Sequence, residues 1–262
     1  MIPPTLRHTA ALTQRAVITS LRQPFAWFPA LFFPMVLMAI FTGSFGQAPG
    51  RLPGFPPVRG FLDFAVSGAV LQGVLIGGTS AGAAFALDLE GGFLDRLIAS
   101  PVSRLAILTG RLGGSVVQGV LGSTLFVVVA LVFGARISEG VLGFVLLLTL
   151  AAILAAAVGG LGVMLALRTG SSEAVQGTFP LFFILLFFSS AFFPRETMTG
   201  WFRHVADVNP VSYLVEGMRA QVVGSAHWGR DTLVALAIGV ALAVITIIAS
   251  GRALRRRLRE AG

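Results

Sequence analysis

The sequence predicts an all-α integral membrane protein with six transmembrane helices, an N-terminal amphipathic interface helix and a re-entrant helical hairpin before the last span. Three observations predict it. First, the 262 residues are 55% hydrophobic and only 11% charged, against roughly 25% charged residues in a soluble domain, and the mean hydropathy is +0.88. Second, the apolar residues gather into six runs, near 26–45, 61–87, 105–134, 141–167, 174–193 and 231–250. Each is close to the roughly 20 residues a helix needs to cross about 30 Å of hydrocarbon. Third, the runs are continuous instead of alternating over segments of about ten residues, which excludes a β-barrel.

Residues 5–22, TLRHTAALTQRAVITSLR, precede the first run. At 100° per residue Leu6, Ala10, Val17 and Leu21 fall within an arc of about 60°, and Arg7, Arg15 and Arg22 within about 80° on another side. That pattern predicts a helix lying in the cytoplasmic interface, apolar side down; its simplest role is that of an anchor. Pro3, Pro4 and three arginines before a full-length run do not make a cleavable signal peptide. The loop 46–60, GQAPGRLPGFPPVRG, holds four prolines and four glycines and is expected to be irregular. In the second run Gly73, Gly77, Gly78 and Gly82 have the small-xxx-small spacing that lets helices approach closely.

Between the second and third runs stands DLEGGFLDRLIASPVSR, residues 88–104, a polar insert between two apolar stretches. It is either a solvated turn or the place where the protein is driven. Phe93, Leu94, Leu97 and Ile98 would form one apolar strip on a short helix facing the cytoplasm, with Asp95 and Arg96 turned away. Ser100 and Pro101 would cap and open the third span. Later, FPRETMTGWFRHVADVNPVSYLVEGMRAQVVG, residues 193–224, is too polar to span and too apolar for a free loop. Asn209 and Pro210 read as an N-cap with proline in the first turn, and Gly224 as a stop. Val211, Leu214, Val215, Met218 and Val222 make one apolar face, and Trp201, Phe202 and Val205 a second. Glu216 and Arg219 stand at a pairing distance of three residues. Two short helices dipping into the outer face of the membrane would satisfy their own backbones there.

Several chemistries are excluded by what the chain lacks. It has no cysteine, which leaves the redox compartment open. His8, His204 and His227 are scattered outside the apolar runs, and neither a zinc site nor a Ser-His arrangement can be drawn. Charges in the runs sit at the ends (Asp63, Asp88, Arg111, Arg168, Glu173 and Asp231), which leaves no mid-membrane proton relay for an ion-coupled carrier. All nineteen basic residues are arginine, and a P-loop needs a lysine. ATP hydrolysis would therefore come from a partner, and no cofactor or metal is expected on this chain. With the N-terminus inside, twelve arginines fall in cytoplasmic segments and seven on the other side, the asymmetry that sets orientation. The C-terminal RALRRRLREAG is a basic anchor suited to anionic headgroups.

The insert carries a resemblance. Glu90, Gly92, Leu94, Asp95, Leu97, Ser100, Pro101 and Arg104 resemble the pattern Glu-x-Gly-(Thr/Phe)-Leu-(Glu/Asp)-x-Leu-x-x-(Ser/Thr)-Pro and a following basic residue, found between the second and third spans of ABC-type-2 exporter permeases. Asn209, Pro210, Tyr213, Glu216 and Arg219, in NPVSYLVEGMR, are similar to the segment that family places before its last span. With the six runs and the leading helix the resemblance covers essentially the whole chain, and is strongest to permeases of daunorubicin-type drug exporters. Arg111 departs from it, standing where lysine is common. The resemblance implies a permease that pairs as a homo- or heterodimer, each copy docking on a separate P-loop ATPase subunit that binds ATP and Mg. It implies a multi-pass protein of the bacterial plasma (inner) membrane with both termini cytoplasmic, and no nucleic-acid partner. The coupling residues it implies are Glu90, Gly92, Phe93, Leu94, Asp95, Leu97, Ile98, Pro101 and Arg104.

Exporters of this kind divide between lipophilic cargo and polysaccharide-linked cargo. One tyrosine and three tryptophans are few for holding sugars, and Trp27, Trp201 and Trp228 sit where an interfacial belt is expected. Phenylalanine occurs 22 times and crowds the fifth run at Phe179, Phe182, Phe183, Phe187, Phe188, Phe192 and Phe193, opposite Phe28, Phe32, Phe33 and Phe41 of the first. Any single one of these is ordinary packing or lipid-facing phenylalanine. As a group, with Phe32, Phe33, Phe182, Phe183 and Phe187 as its candidate members, they would make an apolar path for a hydrophobic drug-like or lipid-like substrate. A polysaccharide or glycolipid exporter, and a non-transporting structural or regulatory membrane partner, are the alternatives.

Overall fold

The computed structural model describes residues 4–22, 24–53, 55–56, 58–225 and 227–260, which contain helices and no strand. In order these are α1 (Pro4–Leu21), α2 (Pro24–Phe45), α3 (Ala48–Arg51), α4 (Phe61–Glu90), α5 (Phe93–Ile98), α6 (Arg104–Val132) and α7 (Gly140–Thr169). There follow α8 (Ser172–Gln176), α9 (Phe179–Phe187), a 3-10 turn (Arg195–Thr197), α10 (Gly200–Val208), α11 (Pro210–Val223) and α12 (Trp228–Glu260). Five stretches, Leu31–Arg51, Phe61–Glu90, Arg104–Val132, Gly140–Thr169 and Trp228–Arg259, are long and apolar enough to cross a membrane.

The fifth run, expected at 174–193, is built differently. Ser172–Phe187 is a shorter apolar helix, about 24 Å long at 1.5 Å per residue, and it is interrupted. Gly177 and Thr178 form a turn, and Pro180 stands in the first turn of α9, where its missing N–H is harmless but α8 cannot continue through it. The helix then ends at Phe187 and turns through Ser189 and Ser190. The loop 46–60 also departs from the irregular chain expected. Pro49 stands in the first turn of the single-turn α3, the one helical position where proline is favoured.

Packing centres on α4, which touches α2, α6, α7, α8 and α11. A Cβ on Gly82 would stand 2.6 Å from the Cα of Gly162, and one on Gly78 would strike Val158, so these glycines let the α4 and α7 backbones meet. Without a hydrophobic drive between helices in lipid, such close approach is what holds them. One buried cluster joins α4, α6, α7, α11 and α12 around Leu71, Phe126, Leu150 and Met218. A second, around Phe85, Leu89, Ile107 and Leu254, lies at the end that carries α5.

α1 packs along α6. Leu12, Thr13 and Ala16 fit against Gly110, Gly113 and Gly114, and Thr9 and Thr109 share a hydrogen bond of 2.9 Å. This small-residue stripe is a third side of the helix, distinct from the apolar arc and the arginine arc. Leu6 and Leu21, at the two ends of the apolar arc, stay 58% and 56% exposed.

Candidate functional site

The α4–α5 turn is built around glycine. Gly91 closes α4 and Gly92 adopts φ +67°, the left-handed region that glycine enters without strain. Glu90 accepts a hydrogen bond from the Ser172 N–H at 2.8 Å, tying this turn to the first residue of α8. Arg96 donates back to the Gly91 carbonyl at 3.3 Å, and Ser100 Oγ to the Leu97 carbonyl at 2.7 Å.

The apolar strip of α5 faces inward, not outward as the sequence suggested. Leu94 is 2% exposed, packed in the cluster of Phe85, Leu89 and Ile107, with Leu97 laid against it. Phe93 is half-buried beneath the guanidinium of Arg15, whose Cζ stands 3.7 Å from the ring centroid. The side chains of Asp95 and Ile98 lie outside the described residues. The outward surface of this segment is Arg96, Ala99, Pro101 and Arg104. An isolated strip on a six-residue helix buries itself against the nearest apolar surface, and the ends of α4 and α6 supply one. The cap of α6 also differs from the expected Ser100-Pro101. Ser103 is the N-cap, its Oγ accepting from the Ala106 N–H at 3.2 Å.

Behind α5 stands a charged junction that the spacing rules did not reveal. Asp88, on the last turn of α4, accepts both Arg15 Nη1 and Nη2 at 3.2 Å and also pairs with Arg111 of α6. Arg111 lies over the ring of Phe85 at 4.9 Å. One carboxylate thus joins α1, α4 and α6, and through Phe93 it reaches α5. Arg15 was expected on the solvated side of α1 with Arg7 and Arg22; it turns inward instead. The signal available in the sequence was three charges bordering apolar runs, positions that need partners when they lie near hydrocarbon.

At the opposite end α10 and α11 meet at Asn209. Its Oδ1 accepts from the Val211 N–H at 2.9 Å, and its Nδ2 donates to the carbonyls of Leu185 at 2.6 Å and Phe188 at 2.9 Å. One side chain therefore caps the start of α11 and the end of α9, both of which carry orphan backbone groups. Pro210 follows in the first turn of α11, and Gly224 stops it at φ +72°. Val211, Leu214, Val215, Met218 and Val222 are all buried. α10 packs mainly on the 3-10 turn and leaves Trp201 69% exposed, beside exposed Val205 and Val208.

Glu216 does not pair with Arg219 on its own helix. It takes Arg195, through Nε at 2.7 Å and through a second contact to Nη2, while Tyr213 lies under the same guanidinium at 4.6 Å and donates to the Asp207 carbonyl at 2.6 Å. Arg219 is 6% exposed. It donates to the carbonyls of Ser190 at 2.6 Å and Ala191 at 3.3 Å and covers the ring of Phe64 at 3.6 Å. Burial pulls its guanidinium down to about 10, against the charges of Glu216 and Glu196. Arg195, Glu216 and Arg219 line a cavity of about 550 Å³.

The phenylalanines form one series of neighbouring rings. Phe179, Phe183, Phe187, Phe192 and Phe41 follow one another at centroid distances of 4.8 to 5.5 Å, and Phe33 joins at Phe183, 5.6 Å away. Phe33 and Phe187 of this series are exposed and the others half-buried, so the series opens to the outside of this chain at those two rings; Phe32 stacks on Phe28 instead, and Phe182 packs against the buried cluster.

Five stretches long and apolar enough to cross a membrane, a leading helix packed on the bundle and a short turn helix clamped between two of them define a multi-pass membrane protein. Residues 7–223 match the family described as ABC-2 type transporter, and the chain belongs to that family. It is 27% identical over 236 residues to the daunorubicin resistance ABC transporter permease protein DrrB1 of Streptomyces coeruleorubidus, spanning 88% of this chain and 82% of that one. It is 28% identical over 216 residues to a protein of Porphyra purpurea named as a transport permease, ycf38, spanning 82% and 73%. To a protein of Mycobacterium tuberculosis named as a doxorubicin resistance ABC transporter permease, DrrC, it is 25% identical over 156 residues, spanning 58% and 56%.

Proposed function

We propose that this chain is the permease subunit of an ATP-driven exporter that moves a hydrophobic drug-like or lipid-like substrate out of the cytoplasm or inner leaflet of a bacterial plasma membrane. Two copies, or this chain and a related one, pair, and each docks on a P-loop ATPase subunit that supplies ATP and Mg. The observation that carries this reading is α5, a short helix held by Leu94 and Leu97 on the ends of two spans, with Arg96, Ala99, Pro101 and Arg104 outward. A helix so clamped passes a push on its outer face directly to α4 and α6, because packed interiors transmit displacement instead of absorbing it. Coupling thus divides between an outer surface that meets the ATPase and an inner one that grips the bundle.

The excess of arginine on the segments of the α5 end supports placing that end, and both termini, in the cytoplasm. α10 and α11 then form the outer re-entrant element, with Trp201, Val205 and Val208 meeting lipid and Asn209 at its deepest turn. The series of rings supports an apolar cargo, as do the drug names borne by two relatives. Because that series opens to the outside of the subunit, the path it lines is completed by the second permease.

Co-expression with a P-loop ATPase subunit of an ABC exporter tests this reading. The expected result is a membrane complex whose ATP hydrolysis depends on this chain and lowered accumulation of amphiphilic dyes in cells. Dye levels equal to the vector control, together with lost surface polysaccharide on deletion, would overturn the cargo assignment.

A further inference from the structure

Between α1, α4 and α6, at the α5 end, lies a cavity of about 150 Å³ whose walls change character along its length. At one end stand Arg15 and Arg111 with Asp88, the one carboxylate that lines it among the described residues. Two guanidiniums against one carboxylate leave a net positive charge. Two guanidiniums also carry ten N–H donors, far more than the two oxygens of Asp88 can accept. Thr19 and Ser20 of α1 and Gln118 of α6 add hydroxyl and amide groups to the wall. Toward the middle of α4 the lining is small and mostly apolar, with Ala84, Ala81 and Gly77 at successive turns and the hydroxyls of Ser80 and Ser115 beside them. Beside the arginines Leu87 is exposed on the outer surface of the bundle.

Charge at one end and a small-residue trough at the other fit an amphiphile with an anionic head. Forked guanidinium donors match the oxygens of a phosphate, and the apolar side chains and glycine of the α4 wall give hydrocarbon a surface to lie on. We infer that Arg15 and Arg111 hold the phosphate of an anionic phospholipid, its hydrocarbon lying on the Ala84–Ala81–Gly77 floor. The site is separate from the exposed phenylalanines, and it stands whether or not the cargo assigned above is correct. A lipid seated there would bind Arg15, which fixes α1 and α5, and Arg111, which fixes α6 on α4, so that its presence sets how firmly the junction is held.

The test uses the full chain purified in mild detergent, with bound lipid counted by native mass spectrometry and stability followed by tryptophan fluorescence. The probes are phosphatidylglycerol, phosphatidylcholine and inorganic phosphate. A charge-assisted pair of hydrogen bonds predicts retention of phosphatidylglycerol about tenfold above phosphatidylcholine. Arg15→Gln should reduce that preference to about twofold or less. Gly77→Leu supplies a second variant, expected to fold because nothing stands within 4 Å of a Cβ there and leucine favours a helix. It should fill the trough and lose phosphatidylglycerol at unchanged melting temperature, while leaving any response to inorganic phosphate intact. Equal retention of the two lipids by the native chain would overturn the inference. So would an unchanged preference in both variants, or stabilisation by inorganic phosphate with no phosphatidylglycerol retained.

Discussion

At the α5 end, guanidiniums from two helices converge on the single carboxylate of Asp88. At the α11 end Arg195 takes Glu216, and Arg219 lies buried with two main-chain carbonyls and the ring of Phe64. The first arrangement ties α1 to α4 and α6, and through Phe93 to α5. The second ties a broken helix to an elbow: Arg219 satisfies carbonyls of the turn after α9, and Asn209 satisfies those of α9 itself. Charge shared among separate helices can be redistributed when one of them moves, whereas a cap holds a backbone end in one geometry. On the proposed coupling role, movement is therefore expected at the α5 end and fixed shape at the α11 end.

The largest effect should come from breaking the shared carboxylate. Asp88→Ala leaves half-buried Arg111 beside a second guanidinium, and removing the shared partner of a partly buried pair should cost about 2–3 kcal/mol, between the values for exposed and fully buried pairs. Its melting temperature in detergent should fall strongly, and adding Arg15→Gln should recover part of the loss, since the repelling cation is then gone. A melting temperature unchanged by Asp88→Ala would remove the junction from this account.

Asn209→Ala should cost less, about 2 kcal/mol, the sum of a lost N-cap and uncapped carbonyls. The damage should be local, with faster proteolysis between Phe188 and Trp201 and no change at α5. If cleavage instead rises first near Gly92, the two ends are not independent. Trp201→Ala should have the smallest effect, within about 0.5 kcal/mol in detergent, because surface side chains contribute little to folding. Lipid quenching of tryptophan fluorescence in vesicles should fall in this variant, as an interfacial ring requires; quenching equal to that of the native chain would take α10 off the membrane surface.

Much of this was legible in the sequence. The apolar runs gave the long helices because hydrophobicity over 20 residues is a local property, and Asn209-Pro210 with Gly224 gave both ends of α11 because caps are local too. The fifth run misled. Its apolar composition through Phe188 continues past the point where Gly177, Pro180 and the serines break the helix, and composition alone does not register a break. The orientation of α5 was also not legible: Phe93, Leu94 and Leu97 mark an apolar strip, but whether it faces a partner or the chain itself depends on what α4 and α6 place nearby. Asp88 with Arg15, and Asp88 with Arg111, lie on different helices and no periodicity links them. The same holds for Glu216, which left its neighbour on α11 for Arg195, 21 positions away along the chain.

A single cross-linking experiment tests the division of the molecule most directly. The chain has no cysteine, so one can be placed at exposed Ala99, beside α5, or at exposed Trp201, on α10, without background. Each variant is co-expressed with the ATPase subunit, and cross-links between the two proteins are read with a short bifunctional thiol–amine reagent in native membranes. The account predicts a cross-linked permease–ATPase band for Ala99→Cys and none for Trp201→Cys. A band for Trp201→Cys with none for Ala99→Cys would place the ATPase at the wrong end and contradict it.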